Sequence, residues 1–183
     1  MSFILIRHGK TQGNLEGRYI GSRTDESLCA AGCEQLKGRN YPPVKAVFAS
    51  PMKRCLETAA LIYPGVPVTA ADGLKECDFG AFENLNYSEL NGRSDYQAWI
   101  DSGGEMPFPG GESRREFARR CVRAFTEIIS GLGEGDYAFI VHGGTIMAVM
   151  EAMGVPAAGY YDYQVKNGEG YILERDGQYK KLL

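Results

Sequence analysis

The chain has 183 residues, 44% hydrophobic and 23% charged, with a formal net charge of -3 and five cysteines. Its length suits one domain with a substantial core, its charge balance lacks the Lys/Arg excess of a nucleic-acid surface, and no apolar run approaches the roughly 18 residues of a membrane span. The N-terminus has no basic region ahead of its apolar run, and the cysteines are odd in number with no C-x-x-C pair, so the expectation is a cytoplasmic protein without structural disulfides whose partner is a small molecule.

Phe3-Ile4-Leu5-Ile6, closed by Arg7-His8-Gly9, predicts a strand over about 3–7 buried on both faces. A Gly-rich basic loop follows, then a helix through 30–37 and a second strand over 44–49. Ser50 is a natural N-cap and Pro51 a natural first helical residue, so a helix is expected from 51 to 63, stopped by Pro64-Gly65. Val66 to Ala70, flanked and interrupted by proline, reads as an edge strand. The stretch from about 80 to 111 mixes Asn, Ser, Gly, aromatics and acids; it reads as an insertion covering a site, with one short helix around 87–101. Phe117, Cys121, Phe125 and Ile128 recur at spacings of three and four, which predicts an amphipathic helix over 114–129 with its arginine-rich face in water. Tyr137 to Val141 is another doubly buried strand, closed by His142-Gly143-Gly144 and followed by a helix through 146–153. Tyr160–Val165 and Gly170–Glu174 flank Lys166-Asn167-Gly168-Glu169, a loop suited to a hairpin. This alternation gives an α/β fold with a mostly parallel sheet and an antiparallel edge strand, in a single domain spanning 1–183.

The only two histidines, His8 and His142, stand in the same setting, at the end of an apolar strand and directly before glycine. Ligands of open α/β sheets bind at the carboxyl ends of strands, where helix N-termini offer unpaired N–H groups, so two strands can deliver two imidazoles to one site. A cation such as Arg7 beside an imidazole keeps the ring neutral, and the neutral ring is the nucleophilic form. It can attack phosphorus and carry the phosphoryl group covalently. Cys29 and Cys33 share a helical face, but with both histidines engaged elsewhere no metal site is expected.

Arg7-His8-Gly9-Lys10-Thr11-Gln12-Gly13-Asn14 resembles the signature of the histidine phosphatase (phosphoglycerate mutase-like) superfamily, and the likeness extends along nearly the whole chain. Ser50-Pro51-Met52-Lys53-Arg54 resembles its second motif, Leu74-Lys75-Glu76-Cys77-Asp78-Phe79-Gly80 its third and His142-Gly143-Gly144 its fourth. The resemblance implies a phosphoglycerate mutase-like three-layer α/β/α sandwich. It implies His8 as phosphoryl acceptor, with Arg7, Asn14, Arg54, His142 and Gly143 binding phosphate and Glu76 as proton donor. It implies neither metal nor cofactor.

Lys10 departs from the family pattern, which usually has an acid or glutamine there, and with Arg18, Gly21 and Ser22 it is an expected substrate contact. Tyr96-Gln97-Ala98-Trp99 and Pro109-Gly110-Gly111-Glu112-Ser113 resemble the phosphatase branch, in particular α-ribazole phosphatases and broad-specificity phosphomonoesterases. The expected activity is hydrolysis of a small phosphorylated metabolite, α-ribazole phosphate among the candidates. The alternatives are a cofactor-dependent mutase and a non-catalytic phospho-ligand binder. The sequence is silent on oligomeric state.

Overall fold

The computed structural model describes residues 1–182; Leu183, the last residue of the expected domain, lies outside the described residues. Six strands form one sheet: β1 (Ser2–Arg7), β2 (Ala46–Ala49), β3 (Val68–Ala70), β4 (Tyr137–Val141), β5 (Gly170–Glu174) and β6 (Tyr179–Lys181), in the order β3-β2-β4-β1-β5-β6. The pairs β3-β2, β2-β4 and β4-β1 are parallel, whereas β5 and β6 add an antiparallel edge. The helices are α1 (Gln12–Leu15), α2 (Ala30–Lys37), α3 (Lys53–Ile62), α4 (Tyr87–Leu90), α5 (Ser94–Asp101), α6 (Arg114–Ser130) and α7 (Gly143–Met153).

Alternation along the two central strands builds the layers. Phe3 and Leu5 of β1 and Phe139 and Val141 of β4 face one side, where they meet Phe125 of α6 and Ile146, Val149 and Met150 of α7. Ile4, Ile6, Ala138 and Ile140 face the other and meet Cys55 and Ala59 of α3. Both faces are thus covered, which is why these strands read as unbroken apolar runs. A third cluster joins Phe82, Leu90, Tyr96 and Phe108 of the 80–111 segment to Phe117 and Cys121 of α6. All five cysteines are free, and among the described residues no helix is long and apolar enough to cross a membrane.

Three expectations are corrected. The helix after β2 begins at Lys53 with Met52 as N-cap, not at Pro51; Ser50 Oγ is shared between a buried imidazole at 2.8 Å and the Met52 N–H at 3.4 Å. Residues 87–101 form two helices rather than one, broken around Gly92 in the left-handed region (φ 83°). Tyr160–Tyr163 is a 3-10 turn and not a strand: the Val165 carbonyl is turned toward Arg7, and the hairpin partner of β5 is β6, across a turn at 175–178.

Candidate active site

Parallel pairing in register, Arg7 opposite Val141, carries β1 and β4 to the same sheet edge, and His8 N–H donates to Val141 C=O at 2.9 Å. The chain then leaves β1 for α2, packed on α3, and leaves β4 for α7 on the opposite face, so the crevice lies where the two connections part. The histidine rings face each other edge-on, centroids 5.2 Å apart.

His8 Nδ1 lies 2.7 Å from Gly9 C=O. A carbonyl only accepts, so Nδ1 carries the proton and Nε2 keeps its lone pair. The ring is almost completely buried, and burial, then the Arg54 and Arg7 charges, hold its pKa well below the usual histidine range. His142 is held low by burial, Arg54 and His8. Its Nε2 is 2.8 Å from Ser50 Oγ, which fixes the ring.

Arg54 is fully buried. It donates to Thr24 C=O at 2.8 Å and Gly21 C=O at 3.0 Å, while its Nε has no partner in the protein. Arg7 donates to Val165 C=O at 2.8 Å, and its Nε is likewise unpartnered. Neither forms an ion pair among the described residues, although burying an uncompensated cation costs several kcal/mol. Two such guanidiniums beside two neutral imidazoles make a site built for an anion. Gly143 begins α7 over Arg7, placing the donors of a helix N-terminus at the same point.

Asn14 Oδ1 accepts from Thr11 N at 3.2 Å and Asn167 Nδ2 at 3.1 Å, which leaves its own amide N–H groups as donors beside the site. Glu76 is buried against Gly144, where a Cβ would come within 2.6 Å of Oε1. Burial pushes its carboxyl above the usual range, against the opposing pull of Cys77 N–H, Arg54 and Arg7. A carboxyl shifted upward beside the two guanidiniums is a candidate proton donor.

A cavity of about 460 Å³ opens from these groups, lined by Arg7, His8, Asn14 and Glu76 at its floor and by Tyr19, Phe79, Trp99, Phe108 and Tyr160 on its walls. Arg18 lines it but is already paired to Glu16 and Glu89, each at 2.7 Å. The other expected substrate contacts do not line it. Lys10 packs its backbone against Gly32, while Gly21 C=O is taken by Arg54 and Ser22 N–H donates to Cys77 C=O.

Sequence reasoning missed Ser50 as the His142 partner, Asn167 as the donor to His8 C=O at 3.0 Å, and Thr58, whose hydroxyl accepts Gly9 N–H at 2.9 Å. No local pattern marks these three, because each acts on a distant segment. The aromatic walls had a signal in the density of rings between 79 and 108. Among the described residues no group of three or more His, Cys, Asp or Glu is placed to hold a metal ion.

The buried neutral histidines make a pH prediction. In the unfolded chain they protonate near pH 6.5, but in the folded protein only well below that. Their contribution is therefore fully present above about pH 6.5 and is lost as pH falls, by up to about 2 kcal/mol per ring by pH 5. Glu76, shifted upward, loses stability in the opposite direction, as pH rises through its raised pKa. The urea midpoint is expected to fall from pH 7 to 5, and to fall less in His142→Asn; equal slopes would remove the histidine assignment.

The fold and this geometry have relatives. A Gloeobacter violaceus protein named 2,3-bisphosphoglycerate-dependent phosphoglycerate mutase 2 is 32% identical over 161 residues, 80% of this chain and 73% of that one. The adenosylcobalamin/α-ribazole phosphatase of Escherichia coli K12 is 27% identical over 180 residues, 92% of this chain and 87% of that one. The crystal structure of the α-ribazole phosphatase from Shigella flexneri superposes with a TM-score of 0.85 at 25% identity, covering 99% of this chain and 94% of that one. Residues 3–183 match the model of the histidine phosphatase superfamily (branch 1), and the chain belongs to that superfamily.

Proposed function

We propose that this protein hydrolyses phosphomonoesters through a phosphohistidine at His8. The observation that carries the reading is the buried Arg54 and half-buried Arg7 guanidiniums, each with a buried, unpartnered Nε and neither in an ion pair among the described residues, around an imidazole whose Nε2 lone pair is free. His8 Nε2 attacks phosphorus as the ester P–O bond breaks. Arg7, Arg54, His142, Asn14 and the α7 N-terminus hold the three equatorial oxygens, on which charge gathers in the loose transition state. Glu76 gives its proton to the leaving alkoxide. Water then attacks the phosphohistidine, the P–N bond breaks, and Glu76 recovers a proton from that water.

Hydrolysis is favoured over the mutase reaction by what surrounds the leaving group. A phosphoglycerate carries a carboxylate and, in its bisphosphate form, a second phosphate, and both call for free cations. Here the outer arginines are neutralised, Arg18 by Glu16 and Glu89 and Arg114 by Glu105, and the walls are aromatic. Such walls suit a substrate with a planar apolar part, and α-ribazole phosphate, an aromatic-base nucleotide, is of that kind. The test is base-quenched labelling with product analysis, comparing α-ribazole phosphate with 3-phosphoglycerate plus its bisphosphate primer. Release of inorganic phosphate from the former is expected; efficient 2-/3-phosphoglycerate interconversion would overturn the hydrolase reading.

Glu76→Gln tests the acid. Because kcat/KM reports steps only through departure of the leaving group, an alkyl phosphate is expected to lose about 10²–10⁴-fold and p-nitrophenyl phosphate, which needs little protonation, far less. Equal losses would show that Glu76 is not the proton donor.

A further inference from the structure

The arginine-rich face of α6 is not all in water. Arg120 uses its whole guanidinium: Nε and Nη2 clamp the Glu112 carboxylate at 2.8 and 2.7 Å, Nη1 donates to Gly73 C=O at 3.1 Å and Lys75 C=O at 3.0 Å, and Nη2 also reaches Glu76 C=O at 3.3 Å. Glu112 in turn accepts Asp78 N–H at 3.0 Å, and its own N–H donates to Asp78 C=O at 2.9 Å. The segment carrying Glu76 is thus gripped on both sides of the carboxyl group. Gly80 (φ 53°) and Gly111 let the two loops meet backbone to backbone. A Cβ on Gly80 would lie 2.2 Å from Pro109 C=O, and one on Gly111 2.3 Å from Asp78 C=O.

We propose that the Arg120–Glu112 clamp is a positioning device for the proton donor: it sets the place of Glu76 relative to the leaving oxygen without touching substrate. The inference rests on the proposed role of Glu76. It explains why a Gly-Gly-Glu-Ser run sits at this point: Gly110 takes the left-handed turn (φ 70°), Gly111 allows the close approach, Glu112 supplies the carboxylate, and Ser113 caps α6, fixing where Arg120 emerges. Charge alone is a poor account of the clamp, since the Arg120 cation is already neutralised by Glu112, and what remains is the planar fork addressing three carbonyls at once.

The experiment compares Arg120→Lys and Glu112→Gln, each alone and combined with Glu76→Gln, using kcat/KM for an alkyl phosphate and for p-nitrophenyl phosphate. The expected result is a fall of about 10-fold or more in the alkyl-to-nitrophenyl ratio for each single variant. No further fall in that ratio is expected once Glu76 is already Gln, because residues acting through one group are non-additive. Glu112→Gln keeps an oxygen for Asp78 N–H and serves if the Arg120 variant does not fold. A ratio unchanged in the single variants, or a loss that persists undiminished in the Glu76→Gln background, would overturn the proposal. If Glu76→Gln itself leaves the ratio unchanged, it is the assignment of Glu76 that fails, and the clamp then has no proton donor to position.

Discussion

His8→Ala is expected to abolish steady-state turnover, by at least about 10⁴-fold, and to abolish base-stable phospholabelling entirely. No neighbouring group can replace it. The other imidazole is tied to Ser50, the Cys55 thiol beside it is pushed up to about 12 by burial, and Glu76 is held by Cys77 N–H. Phosphate binding should survive in part, since Arg7 and Arg54 remain, so the variant separates binding from chemistry. Turnover near that of the unaltered protein would eliminate the phosphohistidine mechanism.

Arg54→Met is expected to lower kcat/KM by about 10³-fold, because a guanidinium opposite developing charge in a dry site has no substitute there. Its second readout is thermal. A ligand that binds only the folded state adds about 2.7 kcal/mol at a hundred times its dissociation constant, so inorganic phosphate should raise the Tm of the unaltered protein and raise that of Arg54→Met far less. The ligand-free Tm should move little, since lost hydrogen bonds to Thr24 and Gly21 are offset by removal of a desolvated, unpaired cation. An undiminished phosphate-induced rise would show that the anion is not held by Arg54.

The parts of the fold that could be read in advance are those fixed by local pattern. β1 and β4 are doubly buried and therefore continuous in apolar character, and α6 carries its apolar stripe at helical spacing beside a capping box of Ser113 and Glu116. His8 and His142 were legible through their shared strand-end setting, and Arg54 and Glu76 only through the likeness of their surrounding motifs to a family. What escaped was decided by tertiary contact. Ser50 has the chemistry of a helix cap but is drawn to a buried imidazole, and Val165 sits in a strand-like run but gives its carbonyl to Arg7. Arg120 belongs with them: helical periodicity says which face it occupies, not that a carboxylate from a preceding loop waits there.

The in-register pairing of β1 with β4 joins the beginning of the chain to a segment near its end, and both histidines lie one step beyond that pairing. The reaction centre therefore cannot exist in any partly folded form that lacks the central strand pair, and closing so long a loop is a slow, late event in folding. Recovery of catalysis during refolding should coincide with the final consolidation of the sheet rather than with the earlier appearance of helix. An anion held across that seam would cross-link the two ends of the polypeptide noncovalently, so that phosphate would act on this protein as a fastener of its topology as well as a product of the proposed hydrolysis.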